Sequence, residues 1–236
     1  MTGRMVVGTA VRAQASPAPP APVQMALQDL SASKGGSQAL CLDGSPYKYY
    51  WRAGLGTDAK KFLLAFRGGG WCTGIALHQG YDINATTITA CATRALGALG
   101  SSKGWATTLG DWDPHGMTST NCTANPAFCR WPVAYLPYCD GTSFSSARGP
   151  PIPTDSSSPV RKLYFRGRFN LIAVLNDMLA HKGLSSAEAL VVSGHSAGGL
   201  ATFLNVDFVH SMLPGSTSAG LKFFGAVPDG GFCAAQ

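Results

Sequence analysis

Charge is scarce in this chain. Only 13% of its residues are Asp, Glu, Lys or Arg, and its basic residues form no cluster, which argues against nucleic acid as a partner. There is no C-x-x-C pair, so the usual zinc and thiol-exchange motifs are missing. No G-x-x-x-x-G-K-[ST] stretch occurs either, which removes the common nucleotide-binding loop. Long apolar runs are absent as well. Met5-Val6-Val7-Gly8-Thr9-Ala10-Val11 is broken off by Arg12 and is far too short to span a membrane. No internal repeat is visible, and the histidines show no metal-ligand spacing with one another or with the cysteines, so no metal is expected.

What is present concentrates near the end of the chain. Gly194-His195-Ser196-Ala197-Gly198 matches the G-x-S-x-G turn that exposes a nucleophilic serine between a strand and a helix. The run before it, Ala189-Leu190-Val191-Val192-Ser193, is short, apolar and partly β-branched, as buried parallel strands are. Residues 199–210 after it can continue as a helix. A structural Gly-Ser turn is the plainer reading, and the strand and helix on either side favour the nucleophile. Ser196 is therefore the expected catalytic residue, in an α/β-hydrolase-like fold.

A second signal is an apolar strand, Phe62-Leu63-Leu64-Ala65-Phe66, that runs through Arg67 into Gly68-Gly69-Gly70-Trp71. Glycines there let backbone N–H groups approach a developing oxyanion without a Cβ in the way. The plainer reading is a Gly-rich turn.

The chain resembles the pectin acetylesterase family, whose animal branch holds palmitoleoyl-protein carboxylesterases of the Notum type. The resemblance rests on Cys41-Leu42-Asp43-Gly44-Ser45-Pro46 with Tyr49-Tyr50, Gly68-Gly69-Gly70-Trp71-Cys72, and Leu99-Gly100-Ser101-Ser102. It continues through Asn125-Pro126, Tyr138-Cys139-Asp140-Gly141-Thr142-Ser143-Phe144-Ser145, Phe165-Arg166-Gly167 and Ser193-Gly194-His195-Ser196-Ala197-Gly198-Gly199. These stretches occur in family order between about residues 39 and 233. The resemblance implies Ser196 as nucleophile and the amides of Gly69, Gly70 and Ala197 as oxyanion hole. It also implies disulfides Cys41–Cys139, Cys72–Cys91 and Cys122–Cys129, leaving Cys233 without a partner. Arg67 departs from the family, which commonly has an acidic residue there; the backbone donors do not depend on that side chain.

The family places its triad Asp and His in a C-terminal portion with no counterpart before Gln236, so the chain is expected to be truncated there. Asp207 and His210 follow Ser196 on the helix that leaves it, roughly 16–21 Å away along the axis, too far for a general base. Asp229 is expected to border the site with no histidine after it to orient. His195 is expected to be a packed neighbour, and His78, His115 and His181 surface or structural residues.

Strands are expected at 47–52, 61–66, 133–138, 190–193 and 221–227. A helix is expected at 169–181, where Leu171, Ile172, Leu175, Met178 and Leu179 form an apolar stripe. The fold class is α/β, a doubly wound, mostly parallel sheet incomplete at its C-terminal end. Residues 1–38 are expected to be a disordered leader or poor signal region, and 39–236 a partial esterase domain.

Seven cysteines and the sequons at Asn84 and Asn121 point to an oxidising compartment, hence secretion, and the resemblance implies the cell wall. The resemblance implies deacetylation of pectin by a serine esterase, expected to be a monomer and to need no cofactor, and the net charge of +6 suits an acidic polysaccharide. A lipid-acyl protein esterase is the enzymatic alternative, and a non-catalytic binding module the alternative of a different class.

Overall fold

Residues 24–72, 85–110, 116–214 and 220–231 are described by the computed structural model. Among the described residues there are nine strands: β1 (Met25–Asp29), β2 (Lys48–Arg52), β3 (Lys61–Phe66), β4 (Thr108–Leu109), β5 (Val133–Leu136), β6 (Ile152–Pro153), β7 (Lys162–Leu163), β8 (Ala189–His195) and β9 (Phe223–Asp229). Three helices accompany them: α1 (Ala85–Arg94), α2 (Gly167–His181) and α3 (Ala197–Ser211). Seven strands make one sheet in the order β4-β1-β2-β5-β3-β8-β9, and β6 pairs with β7 apart from it. The sheet has two halves. From β4 to β5 neighbours are antiparallel, whereas β5, β3, β8 and β9 run parallel.

The two-residue side-chain period of a strand builds two cores from one sheet. Tyr49, Phe62, Leu64, Phe66, Leu136, Leu190 and Val192 face one side, where Leu171, Val174 and Leu175 of α2 and Ala197, Ala201 and Val209 of α3 cover them. Tyr50, Leu63, Ala65, Val133, Tyr135 and Val191 face the other, packed against Met25, Met117, Phe128 and Trp131. β3 is buried almost throughout because it sits between two parallel neighbours and feeds both cores. β9 closes the sheet order, and its Phe223 and Val227 are exposed.

The expected α/β class, the helix ending at His181 and the strand at 61–66 agree with this architecture. Helix α2 is buried more widely than a stripe, since Ala173 and Val174 lie in the core beside Leu171 and Leu175. The leader boundary at residue 38 does not hold for its last part. Residues 25–29 form β1, which pairs with both β2 and β4, and Met25 is buried. Residues 1–23 of the expected leader lie outside the described residues, as do His78, Asn84, His115 and Cys233. All three expected disulfides are present: Cys41–Cys139, Cys72–Cys91 and Cys122–Cys129.

Candidate active site

Strand β8 ends at His195 and α3 begins at Ala197, so Ser196 alone makes the turn between them. It does so at φ 57° and ψ −121°, a conformation that costs a non-glycine residue on the order of 1–3 kcal/mol. The turn is pressed hard against its surroundings. A Cβ on Gly194 would lie 2.2 Å from the Gly198 carbonyl oxygen, and one on Gly198 2.3 Å from that of Phe66 at the end of β3. The Ser196 N–H donates to the Asp229 carbonyl at 2.9 Å, which fastens the turn to β9 as well. Ser196 thus stands at the head of α3, where the first N–H groups have no acceptor inside the helix.

The glycine loop meets this turn backbone to backbone. A Cβ on Gly68 would come 2.2 Å from the His195 carbonyl oxygen and 3.1 Å from Ser196 Cβ. Gly69 and Gly70 follow at φ 149° and 66°, backbone that side chains rarely allow. Ser196, Ala197 and the loop carrying Gly69 and Gly70 are therefore gathered at the C-terminal ends of β3 and β8. Ligand sites of open parallel sheets lie at such strand ends.

Several contacts hold the loop from behind. Cys72 is bonded to Cys91 of α1. The Trp71 indole N–H donates to Ser143 Oγ at 2.8 Å, and the Ser143 N–H donates to the Tyr138 hydroxyl at 3.1 Å. Ser143 and Phe144 both have positive φ, 51° and 57°. Asp140 stabilises that strained turn, its Oδ2 accepting from the N–H groups of Thr142 and Phe144, each at 3.1 Å. Complete burial raises the Asp140 pKa, and these hydrogen bonds work against the rise without cancelling it.

A model of the pectinacetylesterase family matches residues 20–234. The chain belongs to that family. It is 31% identical to pectin acetylesterase 5 of Arabidopsis thaliana over 210 residues, which are 89% of this chain and 42% of that protein. It is 35% identical to pectin acetylesterase 11 of the same plant, over 75% of this chain and 39% of that protein. Palmitoleoyl-protein carboxylesterase NOTUM of Homo sapiens is 30% identical over 73% of this chain and 30% of its own length. Among solved structures, the Wnt deacylase Notum from Drosophila superposes with a TM-score of 0.65 at 24% identity, covering 86% of this chain and 52% of that one. That likeness speaks to the fold. The chain spans about two fifths of the length of the plant relatives it matches.

Within this family framework, several residues stand differently from the sequence expectation. His195 is not packed: its side chain is 75% exposed, and its Nδ1 lies 3.0 Å from Asp229 Oδ2. The reason is register. Parallel pairing of β8 with β9 sets His195 opposite Asp229, so the histidine that Asp229 meets precedes it in the chain. Asp207 and His210 lie on α3 as expected, and the His210 ring packs on Phe224, 4.7 Å between centroids. His181 contacts Asp177 at 2.9 Å. Asn121 is exposed, and its Oδ1 accepts from the Thr123 N–H at 3.0 Å.

Arg94 went unnoticed in the sequence. Half-buried at the end of α1, it donates from Nη2 to the Gly69 carbonyl at 2.8 Å and to that of Gly70 at 3.5 Å, and from Nε to the Leu99 carbonyl at 3.1 Å. Burial lowers its pKa, Tyr138 and Asp140 oppose this and Arg67 adds to it; a guanidinium stays charged regardless. Its only sequence signal is its place three residues after Cys91, on the same helix face.

Proposed function

We propose that this chain carries the nucleophile and oxyanion hole of a secreted serine esterase that removes acetyl groups from pectin. The observation that carries the reading is the strained Ser196 turn in backbone contact with the glycine loop. Strain at a lone non-glycine residue persists only where the surroundings enforce it, and such residues cluster at functional sites.

In this reading Ser196 Oγ bonds to the acetyl carbonyl carbon while a general base takes its proton. The carbonyl electrons move to oxygen, which the N–H groups of Gly69, Gly70 and Ala197 stabilise. Collapse expels the sugar oxygen, which recovers the proton and leaves an acetyl-serine. Water then repeats the sequence and releases acetate. The base histidine and its acid belong, by the family resemblance, to the C-terminal portion of such proteins. Three disulfides suit an oxidising, extracellular setting, and the positive net charge suits an acidic polysaccharide.

Acetate release from acetylated pectin by the full natural chain and by Ser196→Ala tests this. Loss of about 10⁴-fold or more in the variant is expected. Pectin binding without turnover in the parent would instead identify a binding module, and turnover on a palmitoleoylated peptide but not on pectin would identify a lipid-acyl esterase.

A further inference from the structure

We infer that Arg94 is the positioning residue of the oxyanion loop, setting the direction of the Gly70 amide, one of the three assigned to the substrate oxygen. The inference rests on the esterase reading above. Its physical core is the planarity of the peptide group, in which the carbonyl and the next N–H point in opposite directions. Arg94 Nη2 binds the Gly69 carbonyl at 2.8 Å, so the Gly70 N–H, in the same peptide plane, is turned away from the guanidinium. The longer contact to the Gly70 carbonyl, 3.5 Å, acts likewise on the Trp71 N–H. Two successive peptide planes are thereby fixed from their carbonyl side.

Such fixing matters because nothing else in the loop's own backbone supplies it. Gly69 and Gly70 both occupy conformations open chiefly to glycine, and glycine is the residue with the most backbone freedom to lose. A preorganised oxyanion hole needs donors that do not reorient during reaction. Arg94 is itself held on three sides. Its Nε donates to the Leu99 carbonyl, its guanidinium lies 5.1 Å over the Tyr138 ring, and α1 is tied to the loop's far end by Cys72–Cys91. Leu99 completes the clamp, because a Cβ on Gly69 would strike its Cδ2 at 2.8 Å. One helix thus delivers a covalent anchor and a charged one to the same loop. The fork geometry of arginine suits this role, since its Nε and Nη2 reach the Leu99 and Gly69 carbonyls from two separate atoms in one plane, whereas lysine gathers its donors on a single nitrogen.

The test compares the full natural chain with Arg94→Ala and Arg94→Lys. Turnover of 4-nitrophenyl acetate gives kcat and KM, and ¹⁵N relaxation gives order parameters for the Gly70 and Trp71 amides. In Arg94→Ala, kcat is expected to fall about 100-fold, the scale of losing one oxyanion donor, with KM within about threefold of the parent. The two amides are expected to drop from about 0.85 to below about 0.6 while those of β3 stay rigid. Arg94→Lys is expected to lie between, and millimolar guanidinium to restore part of the alanine variant's kcat. A rise in KM with kcat unchanged, or rigid amides in the alanine variant, would overturn the inference; should that variant not fold, the same two readings on Arg94→Lys decide. A parent without Ser196-dependent turnover refutes the esterase reading, and the order parameters then judge Arg94 alone.

Discussion

His195 and Asp229 face each other across the parallel β8–β9 pair, Nδ1 to Oδ2 3.0 Å, one residue from the strained turn. Asp229 also meets the turn through its backbone, because its main-chain oxygen accepts the Ser196 N–H. The two roles are separable, since only one uses the side chain. An exposed polar side-chain pair contributes little to stability, and a side chain so open to water is a poor orienter for a catalytic base. Asp229→Asn is therefore expected to move the melting temperature by no more than ~1 °C and activity by less than ~10-fold. A fall near ~10⁴-fold, the effect of losing a triad carboxylate, would make Asp229 the acid after all.

The backbone of Ser196 yields a prediction that needs no assay of turnover. Its φ of 57° and ψ of −121° penalise any residue with a Cβ. Ser196→Ala keeps that penalty, whereas Ser196→Gly relieves it, offset in part by the extra entropy glycine has when unfolded. Urea unfolding should find the glycine variant more stable than the alanine variant by about 1 kcal/mol. Equal stability would mean that the strain in the turn does not exceed glycine's entropic offset.

Gly68 is where the loop touches the turn. Gly68→Ala places a methyl group 2.2 Å from a main-chain oxygen, which no side-chain rotation can avoid. Stability should fall by about 1–3 kcal/mol, and acetate release should drop with it even at temperatures where the variant is fully folded. Retained turnover in a folded variant would separate the loop from the chemistry.

Acid stability should depend on Asp177. Burial alone would raise its pKa, but hydrogen bonds with Tyr49 at 2.6 Å, His181 at 2.9 Å and Ser33 at 3.0 Å outweigh that and hold it below the usual 3.8. A carboxyl group depressed in the folded state stabilises above its unfolded pKa, and the contribution is lost as pH falls through the folded one. Urea midpoints between about pH 5 and pH 2 should therefore fall more steeply for the parent than for Asp177→Asn. Parallel curves would remove Asp177 from the account of acid unfolding.

The parts of the fold that were legible in the sequence are those whose burial is written in a continuous apolar run. Lys61–Phe66 was read to the residue and Ala189–His195 nearly so, because both are central parallel strands. Met25–Asp29 was not, since a short strand beside a proline-rich stretch gains its identity only from pairing with β2 and β4. Ala85–Arg94 carries four threonines and an isoleucine, residues of modest helix propensity that mask the helical spacing of Ile88, Cys91, Ala92 and Ala95. At the site, Ser196 and the glycines announce themselves by motif. The His195–Asp229 meeting depends on register between strands, and the grip of Arg94 depends on main-chain carbonyls that a sequence does not display.

The sheet's division into an antiparallel and a parallel half has a practical meaning for anyone altering this protein. Every contact of the serine turn and the glycine loop described above is made at the ends of β3, β8 and β9 or by α1 and the loops after β5 and α1. The outer ribbon of β4, β1 and β2 contributes none of them. Affinity tags, fluorophores and fused partners attached along that ribbon would sit away from the chemistry, with β5 between it and β3. The same grafts on the β8–β9 side would land on it.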